Sequence, residues 1–328
     1  MDEKIGILGA GGWGTTLSLL LYRKNYKVIL WEFFPEYEKI LKEKRENIYY
    51  LPGIKIPKGI LITSSVEEVI CNSDFLIITV PSQYFRNIIK KIKKFYNGQP
   101  VLVGTKGLEI KLQKRMSVVI QEEIGKIPFG VLSGPTIARE LALGNPSAAV
   151  IASYEKKIAE KFQKILSSEI FRLYTNTDVI GVELGGSLKN IIAIGAGIID
   201  GFNLGTNTKS SYITRGLREM IKIGTYLGGK EKTFYGLSGL GDLVTTCFSK
   251  YSRNRSFGEY IVKIGKEKFF KKTKMVVEGI FVTKAIYNLT KKIKLELPIT
   301  NSIYRIVYLN KNPLEEIKTL MERRLKEE

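Results

Sequence analysis

Between Leu184 and Ile199 the chain is apolar and glycine-laced, and its single charge is Lys189. The whole chain contains no histidine. That removes the commonest general acid or base and the commonest metal ligand, and it excludes Ser-His-Asp and Cys-His mechanisms and any zinc site that needs histidine. Proton transfer must use lysine, a carboxylate, tyrosine, cysteine or water. Lys189 has two readings. At the rim of a central helix its ammonium would snorkel to water. Aimed into a polar cleft it would be desolvated, and a lowered pKa would suit it to proton transfer. Composition does not separate the two. Asp200, just past this segment, has two readings, a functional carboxylate or, more simply, a helix-end or loop residue.

A second signal stands at the N-terminus. Gly9-Ala10-Gly11-Gly12-Trp13-Gly14 follows the apolar stretch Ile5-Gly6-Ile7-Leu8 and reads as G-x-G-x-x-G at a strand-to-helix turn. Gly9 allows the tight turn, Gly11 lets backbone approach a pyrophosphate, and Gly14 lets helix and strand pack closely. A diphosphate then sits on free N–H groups at the helix N-terminus. Lys27-Val28-Ile29-Leu30-Trp31 reads as the next strand and ends at Glu32, where a ribose-binding carboxylate is expected. The segment predicts a dinucleotide site.

Three further stretches combine glycine with a few polar groups. Gly104-Thr105-Lys106-Gly107 places a lysine past a strand end, either as an exposed loop residue or toward a ligand. Leu132-Ser133-Gly134-Pro135-Thr136 also follows a strand and offers backbone N–H groups. Gly236–Cys247 is too glycine-rich for an ordinary helix start, and Asp242 within it is either a helix cap or a functional carboxylate. Ser252-Arg253-Asn254-Arg255 opens a helix-like run, with Ser252 or Asn254 as the cap. Arginine beside helix N–H groups makes a good phosphate site, and a surface arginine pair is the plainer reading. Cys71 and Cys247 read as buried small residues, and no metal-ligand spacing is visible.

The first half must supply the scaffold for these residues. Helical patterns at Pro35–Glu46, Ser82–Phe95 and Glu155–Leu166 alternate with strand-like runs at 60–63, 74–80, 101–104, 129–132, 148–151 and 171–174. The 74–80 run is continuously apolar and stopped by Pro81, as in a parallel strand buried on both faces. Ser64 and Glu67 match a capping box. In Ser82–Phe95 the apolar side carries Phe85, Ile88, Ile89, Ile92 and Phe95. From about Leu184 onward the patterns are helical, ending in a one-faced helix with Leu314, Ile317, Leu320 and Met321. We therefore expect an α/β chain: a Rossmann-like, doubly wound sheet domain over residues 1–183, then an all-α domain over residues 184–328. Ligands should lie beyond the carboxyl ends of the strands, in the cleft between the halves.

A formal charge of +20 invites a nucleic-acid reading, but lysines are spread along the whole chain. The dense groups Lys90–Lys94 and Lys271–Lys274 carry interleaved apolar residues, as on the solvated side of a helix or loop. No nucleic-acid partner is expected. Two cysteines cannot form a disulfide framework, which suits a reducing cytoplasm. No apolar run approaches the length of a membrane span, so no transmembrane helix is expected, and the N-terminus lacks the pattern of a secretory signal.

The ordered set Gly9–Gly14, Tyr50-Leu51-Pro52-Gly53, Lys106-Gly107, Leu132–Thr136, Gly181-Val182-Glu183, Leu188-Lys189-Asn190, Asp200-Gly201, Thr214–Leu217, Gly239–Cys247, Ser252-Arg253-Asn254 and Val277-Glu278-Gly279 resembles the NAD(P)-dependent glycerol-3-phosphate dehydrogenases of bacteria. The resemblance runs over almost the whole chain. It implies reversible reduction of dihydroxyacetone phosphate to sn-glycerol 3-phosphate, for phospholipid synthesis, with NAD or NADP as cofactor. It makes Lys189 the general acid/base, with Asn190, Asp242 and Thr246 organising that lysine and the substrate hydroxyls. Lys106, Gly134 and Thr136 would line the substrate pocket, and Ser252, Arg253 and Asn254 would bind the phosphate. Gly12, Trp13, Lys106, Ala138, Arg253, Val276 and Glu278 would touch the cofactor. A cytoplasmic homodimer is expected. Gly12 stands where many relatives have serine, and Tyr212 where smaller residues are common. The alternatives are a related two-domain dehydrogenase of β-hydroxyacids or of a sugar phosphate and, from another class, a basic nucleic-acid-binding protein.

Overall fold

The computed structural model describes residues 2–272, 275–325 and 327. Of the basic run Lys271–Lys274, Thr273 and Lys274 lie outside them.

The first half alternates strands and helices: β1 Lys4–Leu8, α1 Gly12–Arg23, β2 Lys27–Trp31, α2 Pro35–Lys44, β3 Leu61–Thr63, α3 Val66–Cys71, β4 Phe75–Ile78, α4 Ser82–Lys93, β5 Val101–Val103, α5 Met116–Glu123, β6 Phe129–Ser133, α6 Ala138–Ala142, β7 Ser147–Ala152, α7 Lys156–Leu166 and β8 Phe171–Asn176. One sheet results, in the order β3-β2-β1-β4-β5-β6-β7-β8. It is parallel except where β7 pairs antiparallel to β6. The order reverses between β1 and β4, so their carboxyl ends open the crevice that holds the Gly9–Gly14 turn. β4 is buried at every residue, as its unbroken apolar run requires. In α4, Phe85, Ile88, Ile89 and Ile92 face the core while Lys90, Lys91 and Lys93 face solvent.

The second half is helical among the described residues: α8 Val179–Gly201, α9 Gly205–Tyr226, α10 Glu231–Phe234, a π-helical turn Leu237–Gly241, α11 Asp242–Phe248, α12 Arg253–Lys263, α13 Lys266–Lys272, α14 Glu278–Ile293, α15 Pro298–Leu309 and α16 Pro313–Met321. Residues 183 and 184 both lie inside α8, so the two halves share an ordered helix with no linker. Asp178 caps that helix through Gly181 N–H at 2.9 Å. α8 is long and apolar enough to cross a membrane, contrary to the length argument above, but it is buried at the centre of the helical half.

Three local expectations need correction. The α3 cap is Ser65, whose hydroxyl accepts Glu68 N–H at 3.1 Å. Ser64 is one residue too early; its carbonyl accepts Trp31 Nε1–H at 2.9 Å and belongs to the strand end. Cys71 is exposed, because α3 turns Val69 and Ile70 inward and leaves its last residue outside. On α16, Ile317 and Leu320 pack inward, but Leu314 and Met321 are exposed. The buried position there is Glu316, whose carboxylate takes Arg305 in a fork at 2.6–2.9 Å.

Candidate active site

Asp242 is the first residue of α11 and is almost fully buried. It caps no helix. Its carboxylate holds one lysine from each half of the chain. Oδ2 accepts Lys106 Nζ–H at 2.8 Å, from the loop after β5, and Oδ1 accepts Lys189 Nζ–H, from the middle of α8. Lys106 spends its remaining donors on Gly134 O at 2.8 Å and Thr136 Oγ1 at 3.2 Å, in the turn after β6. Lys189 has one other acceptor among the described residues, Thr246 Oγ1 at 2.7 Å, and the Thr246 hydroxyl donates to Asp242 O at 2.6 Å. An ammonium has three donors. Lys106 is therefore saturated, whereas Lys189 keeps one N–H. Both lysines are thus paired inside the protein and neither stands free in solvent.

Burial is the largest influence on Lys189 and lowers its pKa to about 8. The Asp242 charge opposes this, and the nearby Lys106 ammonium adds to it. Cys247, one residue past Thr246, is buried and its thiol is pushed up to about 12. It is no thiolate nucleophile.

A second link ties the halves together. Asn254 Nδ2 donates to Asn190 Oδ1 at 2.8 Å, Asn190 Nδ2 donates to Lys106 O at 3.3 Å, and Gly279 N–H donates to Asn254 Oδ1 at 2.8 Å. The side chains of Asn190 and Asn254 are thus engaged within the protein. Ser252 caps α12 by accepting Arg255 N–H at 3.2 Å. Arg253, next to it, is exposed and has no hydrogen bond or ion pair among the described residues. Desolvation by its surroundings lowers its pKa, with Glu278 and Tyr50 acting the other way. Glu278, at the start of α14 and two residues past Val276, accepts Ser82 N–H at 2.9 Å, Ser82 Oγ–H at 2.6 Å and Gln83 Nε2–H at 3.1 Å. Burial raises its pKa above the usual carboxylate range.

The glycine turn fits a dinucleotide. Gly9 adopts φ +118°, and a Cβ on Gly14 would lie 1.9 Å from Gly9 O. The first bond into α1 runs from Thr15 N–H to Gly11 O, which leaves the N–H groups of the first turn without helical acceptors. A Cβ on Gly11 would meet nothing within 4 Å, so the turn faces open space of the kind a diphosphate needs. Gly12 has its own constraint, since a Cβ there would lie 2.7 Å from Tyr50 O. Trp13 packs edge-on to Phe171, and Ala138 O accepts Thr16 Oγ1–H at 3.0 Å. Glu32 follows β2 as expected, but its carboxylate turns back on its own loop and accepts Phe34 N–H at 3.0 Å.

Sequence reasoning missed Asn47. It is fully buried and donates to Ala10 O at 2.8 Å and Thr15 Oγ1 at 2.7 Å, while its Oδ1 accepts Tyr37 O–H at 2.6 Å. It pins the Tyr49–Gly53 loop to the glycine turn. A lone asparagine in a loop carries no pattern that could have flagged it. Ser82 was missed as well, although its place after a Pro-stopped strand was a usable signal.

Family models described as NAD-dependent glycerol-3-phosphate dehydrogenase N-terminus and C-terminus match residues 4–159 and 178–318. The chain belongs to this dehydrogenase family. A glycerol-3-phosphate dehydrogenase [NAD(P)+] of Halothermothrix orenii is 43% identical over 335 residues, covering 100% of this chain and 97% of that protein. One from Carboxydothermus hydrogenoformans is 43% identical over 332 residues, covering 99% and 98%. The crystal structure of glycerol-3-phosphate dehydrogenase from Coxiella burnetii superposes with a TM-score of 0.95 at 36% identity, over 98% of this chain and 99% of that one. A ketopantoate reductase from Ralstonia eutropha, at 12% identity and a TM-score of 0.62 over 96% of this chain and 99% of that one, shares the fold alone.

Proposed function

We propose that the chain catalyses the reversible, NAD(P)H-dependent reduction of dihydroxyacetone phosphate to sn-glycerol 3-phosphate, with Lys189 as the proton donor. The observation that carries the assignment is the spare N–H on Lys189 beside a saturated Lys106. When bound, NAD(P)H supplies the hydride. The residues over 1–183, including the Gly9–Gly14 turn, hold it, and those over 184–328 complete the substrate site. Lys189 delivers its proton to the carbonyl oxygen in reduction and takes it back from the hydroxyl in oxidation. Asp242 holds the ammonium in place and keeps it charged near neutral pH, and Thr246 fixes its rotamer. Lys106, with Gly134 and Thr136, builds the pocket wall. Arg253 and the N–H groups at the start of α12 hold the phosphate. The product serves phospholipid synthesis, and the enzyme works as a cytoplasmic homodimer.

The test is oxidation of NADH and of NADPH with dihydroxyacetone phosphate beside unphosphorylated dihydroxyacetone. Turnover is expected with the phosphorylated substrate and little with the other. No oxidation of either cofactor with the phosphorylated substrate would overturn the proposal.

A further inference from the structure

In the helical half the site residues stand on three helices: Lys189 and Asn190 on α8, Asp242 and Thr246 on α11, Arg253 and Asn254 on α12. Asn190 and Asn254 link α8 to α12 near the cleft. Further along, the two helices cross with their backbones in contact. A Cβ on Gly197 would lie 1.9 Å from Arg255 O, and one on Gly258 would lie 1.9 Å from Ile194 O. Just beyond the crossing stands Asp200. Its carboxylate accepts Arg255 Nε–H from α12 at 2.6 Å and Lys209 Nζ–H from α9 at 2.8 and 2.9 Å. The Lys209 ammonium in turn lies 4.4 Å from the ring centroid of Phe248 on α11. Asp200 thus gathers α8, α9 and α12 directly and reaches α11 through Lys209.

We propose that Asp200 is a positioning residue for the phosphate end of the site: it fixes the start of α12, and with it Arg253, relative to Lys189. This rests on the reading of Arg253 as the phosphate grip. The residue Asp200 holds, Arg255, also supplies the N–H that closes the Ser252 cap. Arg255 has a second carboxylate in reach, Glu259 at 3.3 Å, but that partner lies one turn along the same helix. Without the Asp200 charge, Arg255 pairs only within α12 and the tie to α8 is lost.

The experiment uses the full chain. In Asp200→Asn the KM for dihydroxyacetone phosphate should rise about tenfold, a typical loss for one member of a contacting network, while kcat, the KM for NADH and kcat/KM for unphosphorylated dihydroxyacetone stay within about twofold. Asp200→Glu should recover most of the loss. Arg255→Gln should reproduce it, and the double variant should be no worse than either single one. Arg255→Gln also carries the test if Asp200→Asn does not fold. Equal losses on both substrates, or an unchanged KM with only a lower unfolding midpoint, would overturn the proposal, as would additive effects in the double variant. Arg253→Ala, measured alongside, separates the two failures. If it loses both substrates equally, the phosphate reading falls and this proposal with it. If it discriminates while Asp200→Asn and Arg255→Gln do not, only the role of Asp200 falls.

Discussion

Lys189 Nζ donates to Asp242 Oδ1 inside a nearly dry site, while the other oxygen of the same carboxylate is held by Lys106 at 2.8 Å. One negative charge thus faces two positive ones. That imbalance, added to burial, is why Lys189 titrates near neutrality at about 8.

The pH profile should follow from that value. Reduction needs the ammonium, so its kcat/KM should be flat below a pKa of about 8 and fall above it. Oxidation needs the neutral amine and should rise through the same range. In Asp242→Asn the charge that favours the ammonium is gone, and the falling limb for reduction should move down by about one pH unit or more. Steady-state profiles of wild type and variant check this; a limb that stays in place contradicts the assignment.

Arg253 has no partner of its own among the described residues, which leaves it for an anion. A hydrogen bond to a charged group contributes roughly 1.5–3 kcal/mol. Arg253→Ala should therefore lower kcat/KM for dihydroxyacetone phosphate by about one to two powers of ten. The poor activity with unphosphorylated dihydroxyacetone should change far less. Kinetics on the two substrates side by side decide the point.

Glu32 carries the prediction on cofactor choice. A carboxylate at the end of β2 that faced the ribose would accept hydrogen bonds from its hydroxyls and repel a 2′-phosphate. NADH should be used at least as well as NADPH, and Glu32→Ser should shift the ratio of kcat/KM values toward NADPH. A wild type that strongly prefers NADPH, or an unmoved ratio in the variant, would place Glu32 outside the ribose site.

Tyr212 offers a test of packing. Its hydroxyl is buried against Gly195 with no hydrogen-bond partner among the described residues. An unmade bond of this kind costs about 1–3 kcal/mol, so Tyr212→Phe should raise the urea midpoint of unfolding without altering kcat. A lower midpoint would mean that the hydroxyl is satisfied in solution.

The sequence was most readable where local chemistry and fold agree. The Gly9–Gly14 turn and the buried run of β4 follow from residue type and spacing, and the α12 cap, open between Ser252 and Asn254, falls on Ser252. Asp242 and Lys106 could be flagged but not assigned. Their partners come from elements far apart along the chain, and only tertiary packing decides between a solvent-facing and a paired lysine. Asn47 left no signal, and the partners of Asp200 were not legible, since the bonds of both run to residues whose proximity is a product of tertiary packing. Cys71 and Met321 failed for the converse reason: an apolar side chain near a helix end is inside or outside according to what covers that end.

The central claim is that Lys189 moves the proton. Its most direct test is Lys189→Ala assayed for turnover and for NADH binding in the same preparation. A positioned acid or base contributes about 10²–10⁴-fold, so kcat for reduction of dihydroxyacetone phosphate should fall by that factor while the Kd for NADH is unchanged. Near-normal turnover in that variant would contradict the account.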